Sequence, residues 1–178
     1  TNYDSVFAVI LGTGVGAGYS LNKKIIVGPN KLTGEWGQNP IPGPMDDYEK
    51  NVKRHCGRIG AIEVFLSGPG LENYYRYKTN SKKTSKEIVT LFNENNSHAL
   101  EVMDIYFERI ARSFSTFVNI LDPDIIVCGG GMSEIDNIYD EIPKRIIPYI
   151  ASNFFLTPIV KAKHGSSSGV RGAAHLWN

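Results

Sequence analysis

Along the first thirty residues, apolar runs alternate with glycine and polar punctuation. Phe7-Ala8-Val9-Ile10-Leu11 is five apolar residues bounded by Gly12-Thr13-Gly14-Val15-Gly16-Ala17-Gly18, which predicts a buried strand ending in a tight turn. Extended character resumes at Tyr19-Ser20-Leu21, Asn22-Lys23-Lys24 reads as a turn, and Ile25-Ile26-Val27-Gly28 as a third strand. The three form an antiparallel meander. Residues 29–58 show no helical period and carry Pro29, Pro40, Pro42 and Pro44. A loop that long in a compact domain usually carries function.

Helical spacing then takes over. Ala61–Leu66 is a short apolar helix ended by Ser67-Gly68-Pro69-Gly70, followed by helices over Leu71–Tyr77 and Ser85–Phe92. The longest spans Ser97 to Leu121, where Met103, Tyr106, Phe107, Ile110, Phe114, Phe117, Val118 and Leu121 share one face. Ser97 serves as its cap and Pro123 as its stop. Asp124–Cys128 is a continuous apolar strand of the doubly covered parallel type, closed by Gly129-Gly130-Gly131. Ser133, with Asp136 three residues on, caps a helix that Pro143 and Pro148 kink or divide. Thr157–Lys161 is a last strand, and Ser166–Gly169 leads into a final helix over Val170–Trp177. A meander followed by helix–strand–helix–strand–helix is an α/β half-domain.

Composition narrows the partners. Nineteen basic against eighteen acidic residues leave a net charge of +1, with no field to steer nucleic acid or an acidic membrane. No apolar run reaches the ~20 residues a membrane helix needs. Two cysteines, Cys56 and Cys128, make no disulfide framework, and a reducing cytoplasm is the expected compartment. The chain opens Thr1-Asn2-Tyr3 and enters a core strand within a few residues. A chain cut from a longer one starts that way, as does one trimmed or freed of its Met.

The glycines carry the first candidate chemistry. Alternate glycines at 12–18 leave backbone N–H groups bare, an anion-binding concavity with the Thr13 hydroxyl at its tip. The spacing matches neither a P-loop nor the dinucleotide pattern, and a ligand-free hairpin stays open for this stretch alone. Gly129-Gly130-Gly131 puts more bare backbone outside the carboxyl end of a strand, where α/β sheets bind ligands; a tight turn alone needs only one glycine. Glu35, Trp36 and Gln38 sit in a constrained loop, and Glu63 follows Cys56-Gly57-Arg58-Ile59-Gly60. Carboxylates and amides beside aromatics suit hydroxyl-rich ligands, although surface acids give the same composition. His98, His164 and His175 read as structural or surface residues, and His55-Cys56 offers two of the four ligands a closed zinc site needs.

In this order the pieces resemble the ROK family (repressor, open reading frame, kinase), and among its sugar kinases the Gly34-Glu35-Trp36-Gly37-Gln38-Asn39-Pro40 loop is most similar to fructokinases. The matching stretches are residues 12–18, 34–37, 56–63, 66–70, 121–124, 127–133 and 163–174, so the resemblance runs over essentially the whole chain. It implies that residues 1–178 form the C-terminal lobe of an actin-like (ribonuclease H-like) ATPase fold, partnered by an N-terminal lobe of the same protein. It implies ATP binding by Gly12, Thr13, Gly14, Pro69, Gly130 and Gly131, sugar binding by Glu35, Gln38 and Glu63, and transfer of the γ-phosphate to a hexose hydroxyl with Mg²⁺. A homodimer is compatible with it, because family members often pair through this lobe and the long aromatic helix would suit an interface.

Two departures limit what carries over. The family's zinc motif, a His followed by Cys-x-Cys-Gly-x-x-Gly-Cys, is represented here by Gln38, Arg54, Cys56 and Ala61. One ligand of four remains, so zinc is expected to be absent and loop 38–61 to be held by other means. The family's general-base Asp belongs to an Asn-Asp pair in the N-terminal lobe, and no such dipeptide occurs in this sequence. The chain by itself is therefore expected to be inactive. The alternative is a sugar-sensing module of a transcriptional regulator, which would need the acids but not the phosphate hairpin.

Overall fold

The computed structural model describes residues 3–165 and Ala174. The final helix expected over Val170–Trp177, with its serine cap, lies outside the described residues. Among the described residues five strands form one sheet in the order β3-β2-β1-β4-β5: β1 Ser5–Leu11, β2 Val15–Leu21, β3 Lys24–Ile25, β4 Ile125–Gly129 and β5 Ile159–Lys161. The β1–β2 and β2–β3 pairs are antiparallel, as the meander requires, while β4 joins β1 and β5 joins β4 in parallel. Asn22 and Lys23 both adopt left-handed φ, 51° and 62°, the twist that suits a two-residue hairpin turn. The third strand is shorter and earlier than expected. Ile26 still donates its N–H to the Tyr19 carbonyl at 2.9 Å, and pairing stops before the exposed Val27.

Alternation along β1 buries Phe7, Val9 and Leu11 on one face. Against that face packs α4, Ser97–Leu121, with the Phe7 and Phe117 rings stacked 4.0 Å apart. Its bounds are those the apolar period predicts. Its cap is not: Asn96, not Ser97, accepts the Ala99 N–H, and Asp122 closes the helix in left-handed backbone at φ 41°. The aromatic face of α4 is spent within its own core, since Tyr106, Phe107, Phe114 and Phe117 are all buried.

Two other boundaries move for local reasons. Ser67-Gly68-Pro69-Gly70 does not merely end α1 (Glu63–Leu66); it starts α2, Gly68–Thr79. Ser67 Oγ accepts the Gly70 N–H at 3.1 Å, and Pro69 occupies the first turn, where its missing N–H costs nothing. Helix α3, Ser85–Asn93, opens on a full capping box between Thr84 and Glu87. Ser133 caps no helix. Its hydroxyl donates to the Gly130 carbonyl inside a 3-10 turn over Gly131–Glu134, and α5 begins only at Asn137, running to Arg145 with Pro143 inside it.

Candidate active site

The turn between β1 and β2 closes on itself, with Gly12 N–H donating to the Gly14 carbonyl at 3.0 Å. Its free carbonyl at Gly12 accepts the Gly68 N–H at 2.8 Å, so the start of α2 is tied directly to the hairpin. Parallel pairing sets Gly129 opposite Ile10, which carries the triple glycine to the same end of the sheet. There Gly130 turns with φ 87°, and a Cβ on it would stand 2.4 Å from the Leu11 carbonyl oxygen. No other residue fits that backbone and that gap.

These segments surround a cavity of about 860 Å³. Gly12, Thr13, Pro69, Gly130 and Gly131 all line it, so five of the six residues expected to meet a nucleotide are brought together. Val89, Met132 and Ile135 supply an apolar wall; Glu72, Ser85, Lys86 and Glu134 add polar groups. The walls combine glycine main chain, the first turn of a twelve-residue helix and an apolar side. That chemistry suits an anion attached to a planar base. The sixth residue, Gly14, faces elsewhere: a Cβ there would lie 2.9 Å from Glu63 Oε2.

The acids gather around Val15, at the start of β2. Glu63 Oε2 accepts the Val15 N–H at 3.2 Å. On the other side, Gly37 lies so close that a Cβ would meet the Val15 carbonyl oxygen at 2.4 Å, and one on Gly34 would meet that of Ala17 at 1.8 Å. Glycine at 34 and 37 therefore lets the 3-10 turn Glu35–Gln38 lie directly on the strand. Trp36 anchors it from below, edge-on to Phe114 and Phe117, with its indole buried. Glu35 and Gln38 line a second cavity of about 790 Å³ whose apolar walls include Phe7, Tyr19, Leu32 and Phe117. Glu63 lines neither cavity, but its backbone is stitched to the same turn. Ile62 N–H donates to the Asn39 carbonyl at 2.9 Å, beside a Pro40–Ala61 bridge.

Loop 38–61 is held by side chains that the chain's periodicity passes over. Glu49, 2% exposed, accepts from Arg109 Nε and Arg112 Nη2 of α4, each at 2.8 Å. Arg109 also reaches Asp46 at 3.2 Å and lies 4.0 Å over the Tyr74 ring. Two arginines three residues apart on an otherwise apolar helix face were the available signal. Among the described residues, no three His, Cys, Asp or Glu side chains gather where they could hold a metal ion. At the zinc-motif positions, Arg54 and Cys56 contact each other, and hydrogen bonds from the Arg58 backbone and then from the Arg54 guanidinium lower the Cys56 thiol below its usual range. Among the described residues no helix is long and apolar enough to cross a membrane.

A family model described as "ROK family" matches residues 1–178. The N-acetyl-D-glucosamine kinase of Vibrio atlanticus is 39% identical over 176 residues, covering 97% of this chain and 58% of that protein. That of Yersinia enterocolitica is 35% identical over 178 residues, covering 98% and 59%. The chain thus spans a little under three-fifths of the length of these curated relatives. A ROK family glucokinase from Streptomyces griseus, solved in complex with glucose and AMPPNP, superposes with a TM-score of 0.86 at 21% identity, over 99% of this chain and 61% of that one. At that identity the likeness is one of fold, the actin-like ATPase fold expected from the motifs. The fructokinase resemblance of the Glu35 loop does not extend to these relatives, which are N-acetyl-D-glucosamine kinases.

Proposed function

Since the chain belongs to the ROK family, we propose that it is the nucleotide- and sugar-binding lobe of an ATP-dependent kinase that moves the γ-phosphate onto a hexose hydroxyl. N-acetylglucosamine heads the candidate sugars, ahead of fructose, because relatives 39% and 35% identical carry that activity in their names. One observation supports the reading above all others: both glycine clusters and the start of α2 line a single cavity. Thr13 receives phosphate oxygens on its backbone N–H and hydroxyl, Gly12, Gly130 and Gly131 admit the nucleotide against main chain that carries no side chains, and Pro69 borders it. Gly14 keeps open the space that the Glu63 carboxylate occupies. Glu35, Gln38 and Glu63 accept or donate hydrogen bonds to sugar hydroxyls.

Phosphoryl transfer asks the protein chiefly for alignment and charge stabilisation. Mg²⁺ neutralises phosphate charge when bound; it commonly sits on phosphates and waters with only one or two carboxylates, so it needs no acidic cage here. The base that removes the hydroxyl proton comes from the part of the relatives' length that this chain does not span. A positioned base is worth roughly 10²–10⁴-fold, so these 178 residues alone do not turn over.

A coupled assay of the full-length protein with ATP and N-acetylglucosamine, glucose, mannose and fructose tests the proposal. The expected result is the highest kcat/KM on N-acetylglucosamine. Sugar binding without nucleotide binding would replace the kinase with a sensor.

A further inference from the structure

We infer that Arg54 is the positioning residue for Glu63: its guanidinium fixes the carboxylate between the phosphate hairpin and the 54–58 turn. The inference rests on reading Glu63 as a sugar ligand. Both oxygens of Glu63 are engaged, and from opposite sides. Oε1 accepts from Arg54 Nε at 3.0 Å, and Oε2 from the Val15 N–H at 3.2 Å. Two donors at fixed places hold the carboxylate plane in one orientation, while each oxygen keeps a lone pair for a ligand hydroxyl. Space is cleared for that orientation, because any side chain at residue 14 would run into Oε2.

Arg54 is itself immobilised, which a surface partner would not be. Its N–H donates to the Arg58 carbonyl at 2.8 Å, its carbonyl accepts from Gly57 at 2.8 Å, and Nη1 reaches Cys56 Sγ at 3.4 Å. The pair is mostly covered, with side-chain exposures of 16% for Arg54 and 22% for Glu63. A fork-shaped cation, unlike lysine, can serve the acid with one edge and the sulfur with another. Without it, Glu63 hangs on the Val15 amide alone and turns about its last bond.

The test uses the full-length protein and two readouts. In Arg54→Met, hydrogen exchange at the Val15 amide should quicken about tenfold, the loss expected for one charge-assisted hydrogen bond, and Arg54→Lys should restore part of it. The sugar KM should rise about tenfold in the same variant with kcat changed less than about twofold. Unchanged Val15 exchange overturns the inference, including the case where KM rises, since Arg54 then acts on the sugar directly. Faster Val15 exchange in a protein whose wild type phosphorylates no sugar supports the positioning role and removes the kinase reading instead. Arg54→Gln replaces Arg54→Met if the latter does not fold.

Discussion

Gly130 and Gly131 are neighbours with opposite tolerances. At Gly130 the left-handed φ and the Leu11 carbonyl 2.4 Å from a Cβ both forbid a side chain, whereas a Cβ at Gly131 meets nothing within 4 Å among the described residues. Gly130→Ala should therefore lower stability by about 1–3 kcal/mol and weaken AMPPNP binding at least tenfold. Gly131→Ala should leave the melting temperature nearly unchanged. Thermal denaturation and calorimetric titration of both variants separate backbone fit from mere proximity to the nucleotide. From the sequence, three glycines in a row announced bare main chain but not which one the fold depends on. That distinction comes from Leu11, more than a hundred residues away.

At the scale of elements, the central parallel pair is fastened at its far end. Asp124 Oδ2 accepts the N–H groups of Asp4 and Ser5 at 3.0 and 2.8 Å, and Asp124 N–H donates to Ser5 Oγ at 2.8 Å. The Ser5 and Asp4 donors hold the Asp124 carboxyl below its usual range, with the Ser5 backbone contributing most. A depressed carboxyl contributes stability that is complete above its unfolded value of about 3.9 and drains away as pH falls through the lower native value. Asp124→Ala should melt below the wild type at pH 7, and the difference should narrow below about pH 4; a constant gap would assign the effect to something other than this charge.

Helix α4 was legible because its period is local, while its arginines were not, because their partner Glu49 lies sixty residues earlier in the chain. Ser133 misled for a similar reason. A serine with an acid three residues on matches a cap, yet the nearby Gly130 carbonyl takes its hydroxyl first. Patterns of repetition report which face is buried; they do not report which side chain another segment will claim.

Taken whole, the molecule's longest loop carries fastenings made by its own side chains and backbone. Glu49 bridges two arginines of α4, Arg112 Nη1 donates to the Pro44 carbonyl at 2.9 Å, and Lys53 and Ile59 form a bridge of their own. Removing one partner of such a buried pair typically costs about 3–5 kcal/mol, so the loop has its own fastening. Purified protein should carry no stoichiometric zinc, and excess EDTA should leave its melting temperature unchanged. One zinc per chain, or a chelator-induced drop, would show that Arg54 and Ala61 had not displaced the ion.

The Pro40–Ala61 bridge has a consequence for how this lobe tolerates change. Ile41 donates to the Gly60 carbonyl at 2.8 Å and Ile62 to that of Asn39 at 2.9 Å, so the intervening residues depart and return through one narrow gate. Lengthening a closed excursion adds only about 0.6 kcal/mol per doubling. The detour can thus be lengthened at turns away from Glu49 and Arg54, while Gln38 and Glu63, posted just outside the gate, keep their stations.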